Sequence, residues 1–187
     1  GVQTCALPIC YQVAHTLIQQ LQSSDALKTL QADNQFKESV QRAVKVSLQS
    51  VRNESTQDTR RGVALRFCDA ATQLINASPL DVSEFTTPQT PHAVQKAAVT
   101  VLASRRDKQS MDHLVQLWKT LTPELRNTVI EISEASDSAM SVLLSAKDVV
   151  SVSDFNAAQR DGLLNHRNPA ITKLAQTLFG AETSTER

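Results

Sequence analysis

Glycine is scarce in this chain, four in 187 residues, and aromatic side chains make up only 4%. Both shortages count against a sheet, because strands favour aromatic residues and tight hairpins often need glycine. Four glycines also cannot build a glycine-rich phosphate loop. Charge of either sign is missing as an excess: 19 basic residues balance 19 acidic ones. A neutral chain lacks the broad basic footprint that nucleic acid or anionic lipid requires. Long apolar runs are missing too. Stretches such as VLLSA reach only a handful of residues. A membrane-spanning helix needs about 20, so no such span is expected.

Cysteine is nearly absent, and its placement is odd. Two of three cysteines, Cys5 and Cys10, sit in the opening GVQTCALPIC. Their spacing is not that of a haem attachment site, and no histidine follows Cys10. A zinc site would need a second ligand pair, which Cys68 alone does not supply. GVQTCALPI instead resembles the translation of a DNA sequencing adapter, and the next codon would begin with the base that cysteine codons share. Residues 1–10 are therefore read as a non-native tail and set aside from fold reasoning.

What the chain does have is helical periodicity. Val13, Leu17, Ile18 and Leu21 form one stripe. Asp25 is placed to cap a short helix through Leu30. Asn34 is placed to cap another, with Phe36, Val40, Ala43, Val44 and Leu48 inward. After the polar NESTQD, a further helix is expected from Arg61 to Ile75, with Val63, Ala64, Phe67, Ala71, Leu74 and Ile75 apolar. ASPLDVSEFTTPQTP, residues 77–91, holds three of the six prolines. It reads as a protease-accessible loop with a single turn near Val82 to Phe85.

The second half repeats one device: Thr90-Pro91, Thr122-Pro123 and Asn168-Pro169. A threonine or asparagine at the cap accepts a backbone N–H. A proline just inside loses nothing, because its N–H would be unpaired there anyway. Leu125 and Ile171 stand at the same offset from their prolines, as do Val129 and Ala175, then Ile132 and Leu178. In the first copy the stripe of Val94, Ala98 and Val101 runs one residue late. Met111 to Leu121, Ala139 to Ala146 and Ser153 to Leu164 supply the intervening helices. The prolines are about 32 and then about 46 residues apart, within the range of helical-pair repeats. The expected fold is all-α, a solenoid of short helix pairs stacked so that each buries its neighbour's apolar face. A compact bundle is the rival.

Candidate chemical groups are scattered. His15, His92, His113 and His166 sit in unrelated contexts. His166, at a helix end, gains from the helix dipole. Cys68, beside Phe67, reads as a small core residue. Arg60-Arg61 and Arg105-Arg106 read as solvated faces. Asp148, Asp154 and Asp161 match no calcium loop, and capping by Ser153 of a helix from Asp154 explains the local pattern. Trp118, in line with Leu114 and Leu121, reads as core. No catalytic, cofactor-binding or metal-binding residue is assigned. An enzyme would require two or more of His92, His113, His166 and Asp112 to converge in one pocket.

HAVQKAAVTVLASRRD, LVQLWKTLTPELRNTVIEISE and LLSAKDVVSVSDFNAAQRDGLLNHRNPAITKLAQTLFG form an ordered set. That set resembles the HEAT-like segment of large bacterial proteins. In those proteins a sorbosone-dehydrogenase-like β-propeller precedes the helical repeats, and a c-type cytochrome domain follows them. The most specific piece is D-x-x-A-A-x-R-x-x-L-L-x-H-x-x-P-A-I, Asp154 to Ile171. The resemblance implies N-terminal helices over 11–76, a loop over 77–91, HEAT-like repeats over 92–180 and a linker over 181–187. It implies a non-catalytic scaffold or spacer fragment of a cytochrome-c-linked membrane-bound dehydrogenase. Haem c would belong to the parent protein and not to this stretch, which contains no CXXCH. Its partners would be the flanking propeller and cytochrome domains, with neither nucleic acid nor a membrane span. The parent would be periplasmic or otherwise exported, and His166 would pack the last repeat. The alternative is a stand-alone adaptor that binds a protein or peptide on a concave face.

Overall fold

The computed structural model describes residues 25–180, together with Val13. The helix expected around Val13, Leu17, Ile18 and Leu21 lies outside these residues except for Val13 itself. So do Cys5, Cys10, His15 and the segment 181–187. Among the described residues there is no strand. The helices are α1 (Asp25–Ala32), α2 (Asn34–Arg52), α3 (Asp58–Leu74), α4 (His92–Arg105) and α5 (Lys108–Leu117). They continue with α6 (Pro123–Ser133), α7 (Asp137–Ser145), α8 (Ala157–Leu164) and α9 (Pro169–Gly180). Short 3-10 turns cover Ser83–Phe85, Trp118–Thr120 and Val152–Asp154. The chain divides into two compact units between Ala98 and Val99, within α4.

In the first unit α1 packs on α2, and α2 lies along α3. Helix α3 carries the core. Its Ala64, Leu65, Cys68, Ala71 and Leu74 are buried, and Phe67, Leu27 and Phe36 pack half-buried around Ala70 and Leu74. A side chain the size of Leu65 contributes about 1.5–3 kcal/mol when fully buried. The cap of α2 is Asp33, one residue before the expected Asn34. Its Oδ1 accepts the N–H groups of Gln35 and Phe36 at 2.8 and 3.1 Å. Both residue types cap well, but aspartate also places negative charge at the positive end of the helix. Helix α3 begins at Asp58, three residues earlier than the apolar stripe indicates. It closes on Asn76 with φ 52°, where Ala77 N–H reaches Thr72 O and Asn76 N–H reaches Gln73 O, each at 3.0 Å. Asparagine tolerates this left-handed position better than most residues do.

Arg61 corrects an expectation. It is not a solvated face: it is 7% exposed, and its Nε donates to Val51 O at 2.8 Å. Its Nη1 holds Asp58 Oδ1 at 3.0 Å. The guanidinium thus satisfies a carbonyl at the C-terminal end of α2, which has no partner inside its own helix. Gln31 does the same for α3, donating from Nε2 to Leu74 O at 3.1 Å. The proline-rich stretch contains its expected turn, but it is pinned. Val82, Phe85 and Thr86 are buried, and Gln95 Nε2 donates to the carbonyls of Thr86 and Thr87, both at 3.2 Å. The protease-accessible part therefore shrinks to the residues flanking 82–87.

In the second unit α7 packs on α5, α6 and α9, and α8 packs on α9. Met111, Leu114, Trp118, Leu125, Val129, Ile130, Leu143, Ile171 and Ala175 form its buried interior. The cap-proline device holds at two of its three sites. Thr122 Oγ1 accepts Leu125 N–H at 3.4 Å ahead of Pro123. Asn168 Oδ1 accepts Ala170 N–H at 3.0 Å ahead of Pro169. At Thr90-Pro91 the helix starts one residue later. Pro91 lies outside α4, and its carbonyl accepts Gln95 N–H at 3.0 Å. That shift is why the stripe of Val94, Ala98 and Val101 runs late. The expected cap at Ser153 is also corrected. Helix α8 starts at Ala157, capped by Asn156, whose Oδ1 accepts Gln159 N–H at 2.9 Å while Gln159 Oε1 accepts Asn156 N–H at 3.0 Å. Phe155 and Phe179 meet edge to face, centroids 5.4 Å apart.

Gly62 marks where α3 and the start of α4 touch. A Cβ there would lie 2.7 Å from the Ala93 carbonyl oxygen, a backbone atom that cannot swing aside. Gly62→Ala is expected to destabilise the protein by about 1–3 kcal/mol, although alanine favours helix. Urea unfolding checks this, and a stabilised variant would show that the two backbones are not in contact.

Candidate functional site

The densest polar cluster among the described residues joins α5, α6 and the turn before α8. Trp118 is fully buried, as its stripe indicates, though it begins a 3-10 turn instead of continuing α5. A buried indole needs an acceptor for its N–H. Asp154 supplies it: Trp118 Nε1 donates to Oδ2 at 2.9 Å. The same carboxylate accepts Ser151 N–H at 2.9 Å on Oδ2 and Arg126 Nη1 at 3.0 Å on Oδ1. Arg126 then turns back to the end of the preceding helix. Its Nε donates to Trp118 O at 2.9 Å and Leu121 O at 3.1 Å, and its Nη2 to Lys119 O at 3.4 Å.

This arrangement fixes the charge of Asp154. Burial alone would raise its carboxyl. The Ser151 N–H, the Trp118 indole and the Arg126 guanidinium together outweigh that and hold it below the usual carboxylate range. Asp107, the cap of α5, behaves alike. Burial opposes ionisation there, but the Ser110 N–H and hydroxyl, its own N–H and Arg105 lower it. Carboxylates held in this way are acceptors and caps, not proton donors near neutral pH. At Cys68, burial first and the neighbouring Asp69 charge second push the thiol up to about 12. It stays protonated at neutral pH and is poorly suited to attack as a thiolate.

Asp112 pairs with Lys108 one turn earlier. His113 is half-buried on α5, and its Nε2 finds no hydrogen-bond partner among the described residues. His166 meets Asp137 instead: Nδ1 accepts Asn168 N–H at 3.1 Å, and Nε2 lies 3.8 Å from Asp137 Oδ1. Asp137 also accepts Asn168 Nδ2 at 2.8 Å, so His166 sits in a junction between the starts of α7 and α9. Among the described residues no group of three His, Cys, Asp or Glu stands close enough to hold a metal ion.

Two concavities stand out among the described residues. In the first unit a groove of about 600 Å³ runs along α2 and the end of α3, lined by Val44, Leu48 and Ile75 with Lys45 and Arg52 at its edge. In the second unit a cleft of about 450 Å³ opens between α6, α7 and α8. Glu131, Glu134 and Asp137 are on its walls with Met140, Gln159 and His166. Of the cleft's lining residues, Ala158, Leu163 and His166 belong to the motif singled out from sequence, while its acidic residues were not singled out. Its acidic residues fall in ordinary-looking helix ends, and only the fold brings α8 beside them. Among the described residues no helix is long and apolar enough to cross a membrane.

Compared with protein-family models, curated proteins and solved structures, the chain matches none of them.

The lowered carboxyls carry a pH signature. Their folded values lie below the unfolded value of about 4, so the stability they add is complete above pH 4 and is lost as pH falls through the folded values. Asp154→Asn is expected to be less stable than the parent at pH 7 and to lose less stability between pH 4 and pH 2.5 (about 4 being the unfolded value). Urea unfolding at several pH values tests this. Parallel pH profiles for the two proteins would show that Asp154 is not held as an anion.

Proposed function

We propose that this chain is a non-catalytic helical scaffold, a HEAT-like stack of short helix pairs whose role is to space and present other protein surfaces. One observation carries the reading. Several buried or half-buried polar side chains close helix and turn ends: Arg126 holds three carbonyls of the turn after α5, Arg61 holds Val51, Gln31 holds Leu74, and Asp154 holds the indole and guanidinium that anchor its own turn. Groups engaged in this way are spent on rigidity. The packing order of the second unit supports helix pairs. Helix α7 contacts both α5 and α9, each two elements away in the chain, while α6 packs on α7 and α8 on α9. Stacked pairs give that alternation of next-neighbour and neighbour contacts.

The resemblance to the repeat segment of cytochrome-c-linked dehydrogenases extends the proposal. The parent would carry its oxidation chemistry in an upstream propeller and haem c in a downstream domain, outside the inner membrane. This stretch would hold the two apart. Its repeats would include the Asp154 to Ile171 motif, in which Asp154 anchors the turn and Asn156 caps α8. A stand-alone adaptor is the second reading, favoured by the acidic cleft on α6, α7 and α8.

The unbroken gene tests the choice. The scaffold reading expects an open reading frame that runs past Arg187 into a CXXCH motif and is preceded by propeller repeats. A stop codon directly after Arg187 would contradict it and leave the adaptor.

A further inference from the structure

We infer that the cleft between α6, α7 and α8 is a docking site for a peptide segment of a partner protein that presents an arginine or lysine beside an apolar side chain. The proposal rests on the scaffold reading and names the chemistry of one of its surfaces. Its floor is apolar: Met140 and Leu163 line it and are 2% and 4% exposed. The α8 wall leaves room, since a Cβ on Gly162 would meet nothing within 4 Å. Its volume of about 450 Å³ is in the range of sites that accept a ligand side chain and its neighbours.

Charge complementarity selects the occupant. Three lining carboxylates, Glu131, Glu134 and Asp137, face no lysine or arginine among the lining residues. Among the described residues, no ion pair reaches Glu131 or Glu134. The walls are also held in place before anything binds. Asn127 Nδ2 donates to Glu131 at 2.6 Å, and its Oδ1 accepts Gln159 Nε2 at 3.3 Å, which ties the acidic rim on α6 to α8. Asn168 ties Asp137 at 2.8 Å. The carboxylates held in this way, Glu131 and Asp137, suit a guanidinium, which donates to two acceptors in one plane. A rim charge pair alone is worth little in water, and Met140 and Leu163 are already covered, so the apolar contact has to come from the exposed α8 side, at Ala158 and the open space beside Gly162. That combination calls for a cationic side chain with an apolar neighbour. Among the described residues no group of three His, Cys, Asp or Glu is placed to hold a metal ion, so a bare metal ion is not the occupant the geometry favours.

Fluorescence anisotropy tests this with a labelled dodecapeptide of alanine and leucine carrying two arginines one helical turn apart. Its control is the same peptide with citrulline. The arginine peptide is expected to bind, to weaken about tenfold in the Glu131→Gln/Glu134→Gln double variant, and to weaken as salt rises from about 50 to about 500 mM. An unchanged melt of the double variant confirms that it folds. Equal binding of the citrulline peptide would overturn the charge assignment while leaving a docking surface. No binding of the arginine peptide at about 1 mM protein would overturn the site itself. A concentration-dependent dimer that the double variant abolishes would assign the cleft to a second copy and overturn the peptide. None of these outcomes bears on the gene-structure test, so the scaffold reading stands or falls separately.

Discussion

Arg126 satisfies three backbone carbonyls and one carboxylate with a single side chain, and the second unit depends on that economy. Every α-helix ends with four carbonyls that its own turns cannot reach. A chain of helices eight to nineteen residues long has many such ends for its length. Left buried and unpaired, each costs about 1–3 kcal/mol. Arg126 is three-quarters buried and Asp154 more so, with side-chain exposures of 25% and 8%. Neither charge is tolerable there without the other, and the indole of Trp118 supplies the third bond. The first unit solves the same problem with Arg61 and Gln31.

This constraint links packing to function. Short helices can stack in file only if their ends are closed cheaply, and closing them uses the arginine, aspartate and glutamine side chains that could otherwise assemble a reactive site. Some polar groups stay open at the surface, on walls that such hydrogen bonds hold still. The cleft beside α8 is the clearest case: the Asn127 bridge that orders it also joins two helices. The proposed scaffold and the proposed docking surface would then be two consequences of one arrangement.

Much of the helical layout was legible because periodicity and caps are local signals. Thr122-Pro123, Asn168-Pro169, the turn at Ser83–Phe85 and the burial of Leu125, Ile171, Cys68 and Trp118 follow from residues within a few positions of one another. The one-residue offset at Asp33 arises because the adjacent Asp33 and Asn34 cap almost equally well; at Asp58 the helix begins before its apolar stripe without a side-chain cap, and at Pro91 the proline stays outside the helix. The misses have a different cause. Arg61 looks like half of a surface pair until Val51 is known to lie beside it. Gly62 looks like a weak helix residue until Ala93 arrives against it. Asp154 stands 28 positions from Arg126, and nothing local joins them. One clue was present: a tryptophan on a buried stripe must find an acceptor, although the local pattern around Asp154 was accounted for by capping and named no partner for the indole. The rim of the cleft gave no comparable clue, since Glu131, Glu134 and Asp137 lie at or near helix ends and no local pattern sets them apart.

The most direct test is a double-mutant cycle on Arg126→Met and Asp154→Ala, read by urea unfolding at neutral pH. If the junction closes the helix ends as a unit, the two substitutions are coupled by about 1–3 kcal/mol, the double variant losing much less than the two single losses together. Losses that simply add, to within about 0.5 kcal/mol, would show that the guanidinium and the carboxylate act independently and would contradict the account.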